Sequence, residues 1–260
     1  MRRWLLAMMM LAAATPASAE RLYSTVSNNT VQITSSFDGA TLSLFGTIEP
    51  DTPGMSVSGP YNIIAVITGP QQDRVTRFKT NEWGIWRNTQ EVVFKHFPSF
   101  YAVISSGRLE TIATPEFLRD NAVRAEDQAR IAAGTDTPEA ARFGAALVRL
   151  MEEDDHFTLR EDGVRFLSDT AYAVNVTLPS DVANGPFIVH TMVLKDRQLV
   201  AERSDGFTVR KSGIENFVFV ASRQQPLLYG IVCVLLALGM RRQRAKLEER
   251  ESRMLDRSHR

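Results

Sequence analysis

Cysteine is almost absent: Cys233 is the single one in 260 residues. No intramolecular disulfide can form, so the body must be held by its hydrophobic core, and a c-type haem attachment site is excluded. Cys233 sits in an apolar run, where a thiol acts as a small packing group. Histidine is scarce too. His96, His156, His190 and His259 fall in separate segments without ligand spacing. His156 follows Glu152-Glu153-Asp154-Asp155, which reads as a solvated helix end rather than a metal centre. The chain has no G-x-S-x-G elbow and no phosphate-cradling glycine loop. An excess of one charge is also missing, with 30 basic and 30 acidic residues. That zero hides an asymmetry. Residues 20–225 hold 20 basic and 26 acidic side chains, whereas residues 241–260 hold eight basic and four acidic ones. An acidic body argues against a nucleic-acid partner, because phosphate contacts need a basic surface. No cofactor, metal or catalytic residue is assigned, and the chain is read as a non-enzyme.

Long hydrophobic runs are few. Pro226 to Met240 gives 15 apolar or small residues, followed by Arg241-Arg242-Gln243-Arg244-Ala245-Lys246. As a helix this run reaches about 22 Å, against a hydrocarbon core of about 30 Å, so it must recruit residues upstream. The expectation is one transmembrane helix within 217–240 and a basic cytoplasmic tail at 241–260. At the other end, Arg2-Arg3, an apolar stretch over 4–14 and Ala17-Ser18-Ala19 read as a signal peptide at 1–19, with cleavage before Glu20. Together these predict a bacterial inner-membrane protein with a periplasmic body.

The body alternates in short strands between Gly, Pro, Asn and Asp breaks. Thr30–Thr34, Ala40–Gly46, Tyr61–Thr68, Val75–Lys79, Ile85–Arg87, Glu91–Lys95 and Phe100–Ser105 fit this pattern. The period then changes. Thr114-Pro115-Glu116 and Thr137-Pro138-Glu139 both carry an N-cap threonine and a first-turn proline. Strand patterns return from Phe157 to Arg210. The fold class is therefore mainly β: one or two immunoglobulin-like sandwich domains with a helical insert, plus one C-terminal transmembrane helix. The regions are a β-sandwich at 20–113, the insert at 114–155 and a second β region at 156–212. Whether these are one interrupted sandwich or two domains stays open at this level.

The segment least like ordinary core is Asn81-Glu82-Trp83-Gly84-Ile85-Trp86-Arg87-Asn88-Thr89. In a strand, Trp83 and Ile85 would share one face and Trp86 the other. Aromatics and arginine favour interfaces, so Trp83, Trp86 and Arg87, with Phe100 and Tyr101 nearby in sequence, are the candidate partner-binding residues.

Gly39 to Gly46, Gly69-Pro70, Gly84-Ile85-Trp86-Arg87-Asn88, Pro98-Ser99-Phe100-Tyr101-Ala102-Val103 and Gln225-Pro226-Leu227-Leu228-Tyr229-Gly230 give the chain a likeness. It resembles the alphaproteobacterial putative transmembrane protein family, from about Leu22 to Met240. The resemblance implies an inner-membrane protein with a periplasmic body. It carries no established activity, so no residue role transfers. The short span and the long basic tail depart from the pattern without disturbing that topology. The function expected is an anchored accessory protein that binds, or helps assemble or regulate, a membrane partner such as a transporter. The alternative is a ligand-binding or sensor module acting through the span. The expected partners are an inner-membrane protein or complex and the lipid bilayer; a small-molecule ligand is unspecified.

Overall fold

The computed structural model describes residues 20–33, 39–50 and 59–211, with Ser222, Arg223, Pro226 and Gly230. The chain divides into two units, 1–31 with 37–210 and 32–36 with 211–260. Nearly all described residues belong to the first. The described part of the second is limited to the ends of two strands and the four helical residues between 222 and 230.

Seven strands come first: β1 (Glu20–Val26), β2 (Thr30–Ile33), β3 (Ala40–Pro50), β4 (Asn62–Thr68), β5 (Gln71–Glu82), β6 (Ile85–Pro98) and β7 (Tyr101–Ser105). Helices α1 (Leu109–Ile112), α2 (Pro115–Asp120), α3 (Ala125–Ala133) and α4 (Pro138–Glu153) follow. The chain returns to strands with β8 (Phe157–Arg160), β9 (Val164–Phe166), β10 (Ala171–Leu178), β11 (Gly185–Lys195) and β12 (Gln198–Lys211). The smaller sheet runs β1-β3-β10-β9, the larger β2-β12-β11-β4-β7-β8, and β5-β6 form a ribbon of their own. Strands from before and after the helices interleave: β3 pairs with β10, and β4 with β11.

The larger sheet is covered on both faces at its centre. Along β4 the residues Ile63 to Ile67 are all buried, and so is every residue of β7. Such runs lack polar alternation because neither face meets water. Ile64, Val66, Tyr101 and Val103 pack on one side into a core shared with the helices. On the other side the smaller sheet closes the layer. There, the Ser24 hydroxyl of β1 donates to the Asp205 carboxylate of β12.

Two of the four helices, α2 and α4, start where the sequence indicates. The Thr114 hydroxyl accepts the Phe117 N–H at 3.2 Å, and that of Thr137 accepts the Ala140 N–H at 3.1 Å. Each offsets an N–H that the first helical turn leaves unpaired. Helix α4 buries Phe143, Leu147, Val148 and Met151, an apolar stripe recurring at helical spacing.

Two expectations are corrected. The two-layer immunoglobulin-like sandwich gives way to curled, open sheets whose larger member carries helices on its second face. The reason is the apolar character of both faces of β4 and β7, which a two-layer sandwich would leave wet on one side. The transmembrane helix is the second correction: among the described residues no helix is long and apolar enough to cross a membrane. The segment assigned to it, 217–240, lies outside the described residues except at Ser222, Arg223, Pro226 and Gly230. Its apolar run is also short, about 22 Å as a helix against about 30 Å of hydrocarbon. With no such helix among the described residues, the expected single-pass inner-membrane topology with a periplasmic body and cytoplasmic tail, the bilayer and membrane-protein partners, and the anchored accessory or sensor roles are overturned. The signal segment at 1–19 and the tail at 241–260 also lie outside the described residues.

Candidate interaction sites

The β5-β6 ribbon reads in sequence as three short strands but folds as one long hairpin. Its base is fixed in the core by Phe94 and Phe97, both fully buried. Phe97 stacks on Phe157 with ring centroids 5.3 Å apart. Two register shifts bend the ribbon, and the Asp73 carboxylate accepts the His96 N–H at 3.0 Å beside the first. Farther out, Arg142 of α4 donates to the Gln90 side-chain oxygen at 2.9 Å and lies 5.4 Å from the Phe78 ring centroid. From Phe78 to the turn, five residues extend the hairpin by about 17 Å.

The turn at the tip is Trp83-Gly84, with φ of 58° and 82°. Two positive φ values in a two-residue loop define the type I′ hairpin turn, which favours Asn-Gly or Asp-Gly. Gly84 meets the demand on its backbone. Trp83 does not, since a bulky residue at positive φ is a strained choice. Trp83 is also fully exposed, at 102% of its reference area, and Trp86 is 68% exposed beside Ile85. The tip therefore combines two exposed tryptophans, little packing and a backbone better suited to asparagine.

The five candidate residues do not form one surface. Trp83 and Trp86 occupy the tip, and Arg87 sits on β6 opposite Thr80. Phe100 and Tyr101 are 1% and 2% exposed, at the far end of the hairpin where β6 passes into β7. Adjacency in sequence misled because the ribbon carries its tip away from its base. Trp83 also belongs to the turn rather than to a strand face shared with Ile85.

Tyr101 has a different position of interest. Its ring forms the floor of a groove of about 600 Å³ between β8 and the helices. Its hydroxyl donates toward the main-chain oxygens of Ala122, at 2.8 Å, and Val123, at 3.0 Å. Gln128 donates to the same Ala122 oxygen at 2.8 Å. These bonds tie the α2–α3 connection, where Ala122 has a φ of 46°, to the sheet. Burial, the leading cause, pushes the Tyr101 phenol well above its ordinary pKa; the Gln128 contact opposes this and the charge of Asp127 adds to it. The phenol thus stays protonated as a donor. Sequence patterning missed this groove because its lining comes from six separate elements, β7, β8 and all four helices.

One polar trio resembles catalytic apparatus. His190 Nδ1 lies 2.9 Å from the Ser204 hydroxyl, and Nε2 lies 3.6 Å from the Glu202 carboxylate. Ser204 faces His190 across the β11-β12 ladder, and Glu202 is two residues along. Ser204 and Glu202 are exposed, and none of the three lines the groove at Tyr101. Among the described residues, no three His, Cys, Asp or Glu side chains gather as a metal ion would require.

The chain matches, over residues 21–240, the family described as "Putative transmembrane protein (Alph_Pro_TM)", and it belongs to that family. This agrees with the resemblance carried by the glycine, tryptophan and proline segments. No curated protein matches the chain. The family description assigns no residue a role, so the sites rest on their own geometry.

Proposed function

We propose that this protein is a binding protein rather than an enzyme, and that the aromatic tip of the β5-β6 hairpin is inserted into an apolar recess of a protein partner. The observation that carries this is Trp83: a fully exposed indole in a left-handed turn position where asparagine or aspartate would be the relaxed choice. Strain and exposure together weigh against the folded chain alone and are offset when the indole is buried elsewhere. Large aromatics dominate such anchors. The braced base supports the reading, since a hairpin fixed by Phe94, Phe97 and Arg142 loses little freedom on docking.

The test is affinity isolation of the full chain from cells that express it, alongside a Trp83→Asn, Trp86→Ser double variant. A partner recovered in near-stoichiometric yield with the native chain and lost with the variant is the expected result. Equal recovery with both chains would overturn the proposal. Binding of the native chain to plain lipid vesicles, abolished in the variant, would equally overturn the assignment of a protein recess.

A further inference from the structure

The groove at Tyr101 has an unpaired β-edge as one wall. Strand β8 is the last in the larger sheet and runs parallel to β7, with Tyr101 opposite Phe157 and Val103 opposite Leu159. The Tyr101 N–H donates to the His156 oxygen at 2.9 Å. In a parallel ladder this bond fixes the rest: residues 156, 158 and 160 turn their backbone groups toward β7. The N–H and C=O of Phe157 and Leu159 therefore point the other way, to an edge that no other described strand occupies. Phe157 and Leu159 both line the groove, and Leu159 is exposed at its rim.

The opposite wall is helical, with Leu118 and Val123 from α2 and the connection after it. The floor is apolar, from Tyr101 and Val103. Charge is uneven around the rim: Glu110, Glu126, Asp127 and Glu152 against Arg119 and Arg124. Arg124 is held by Glu110 at 2.8 Å, and Asp127 pairs with Arg130 at 3.4 Å. Two acidic side chains, Glu126 and Glu152, remain against the single cation of Arg119, leaving the rim net acidic toward an incoming group.

We propose that this groove binds an extended peptide segment of a partner protein, which adds to β8 as a further strand, places apolar side chains at alternate positions beside Phe157 and Leu159, and carries a basic residue against Glu126 and Glu152. Three observations select that occupant. The outward backbone groups of Phe157 and Leu159 recur at the two-residue repeat of an extended main chain. The four residues of β8 span about 13 Å, enough for a peptide strand of similar length. The groove's volume of about 600 Å³ lies within the range of about 300–1,000 Å³ common to ligand sites. Main-chain bonds then supply affinity, and the alternating side chains supply selectivity, as in other cases of strand addition. The site is independent of the hairpin tip, and either can fail without the other.

The test uses the full-length protein and a pooled set of capped octapeptides in which valine, leucine or phenylalanine alternates with threonine and lysine. Saturable binding by members of the set is expected. N-methylation of the amides on the edge facing β8 should weaken it by about tenfold or more, whereas methylation of the opposite edge should not, because only the first set bonds to the protein. Leu159→Asp should abolish binding. Leu159→Pro removes only an outward N–H and should weaken binding while the fold, read by circular dichroism, persists. Glu126→Gln with Glu152→Gln should erase the preference for lysine. No binding by any member, or equal loss from methylating either edge, overturns the proposal. So does binding of a 241–260 peptide alone, which would make the occupant the chain's own tail. A dimer dissolved by Leu159→Asp would assign the edge to a second copy and likewise overturn it.

Discussion

Arg197, on the turn between β11 and β12, donates from its guanidinium to the main-chain oxygen of Ala113 at 2.8 Å. The same nitrogen reaches the Glu110 oxygen at 3.1 Å. Both acceptors belong to the end of α1, where carbonyls lack helical partners and a cation is favoured. The turn that delivers Arg197 has φ of 51° at Asp196 and 65° at Arg197, so two side-chain-bearing residues occupy a left-handed turn. The strain is retained where it places a cap across 84 residues of chain. Arg197→Ala is expected to lower unfolding stability by about 1 kcal/mol in urea titration. Amide exchange should quicken in α1 and the groove wall at Leu109, leaving β10 unchanged.

A second prediction concerns Gly46. The Tyr172 ring lies directly over its α-carbon, and a β-carbon there would overlap the hydroxyl and sit 2.6 Å from Cε1. Gly46→Ala should cost about 1–3 kcal/mol by overpacking. Adding Tyr172→Phe should not restore stability, because the clash involves ring carbons as well as the hydroxyl. Thermal melts of the single and double variants check both statements.

The starts of two helices and most strand segments were legible in the sequence because each rests on local chemistry. Thr114 and Thr137 are followed by proline and glutamate, which is the N-terminal signal itself. The pairing of β3 with β10 was not legible, since strand patterns carry no information about which distant strand completes a sheet. The hairpin was readable only in part: Trp83-Gly84 could have been seen as a two-residue turn, but tryptophan is atypical there and drew the segment into a strand. The groove was hidden for a different reason. Tyr101 reads as core, which it is, and its place beside β8 depends on a parallel contact reached through the four helices.

Alkaline pH should unfold the protein through its buried phenols. Burial is the largest cause raising the pKa values of Tyr101 and Tyr172, with the charges of Asp127 and Asp205 respectively adding to it. In the unfolded chain these phenols ionise near the ordinary value of about 10. The folded protein holds its protons to higher pH, so the unfolded state binds fewer above that point. Stability is therefore full below about pH 10 and falls as pH rises beyond it, by up to about 1.4 kcal/mol per pH unit for each such tyrosine. Tyr101→Phe should reduce that alkaline slope by one group. Urea midpoints across the alkaline range, with phenolate absorbance as the second probe, measure this.

The tip of the hairpin should trade stability for binding. Trp83→Asn replaces a strained residue with one that adopts the left-handed turn readily, and no packing is lost from a side chain that contacts solvent. Stability should rise by about 0.5–1 kcal/mol. A fluorescence measurement tests the premise. Trp83 and Trp86 are the only tryptophans among the described residues, and Trp4 lies outside them. In a Trp4→Phe background the native emission should already resemble that of an indole in water. It should change little through the urea transition that circular dichroism records. Partner binding should then shift the emission to the blue in the native chain, and Trp86→Ser should diminish the shift. A blue native spectrum that moves red on unfolding would mean the tip is packed within the protein, and the docking role of Trp83 would fall with it.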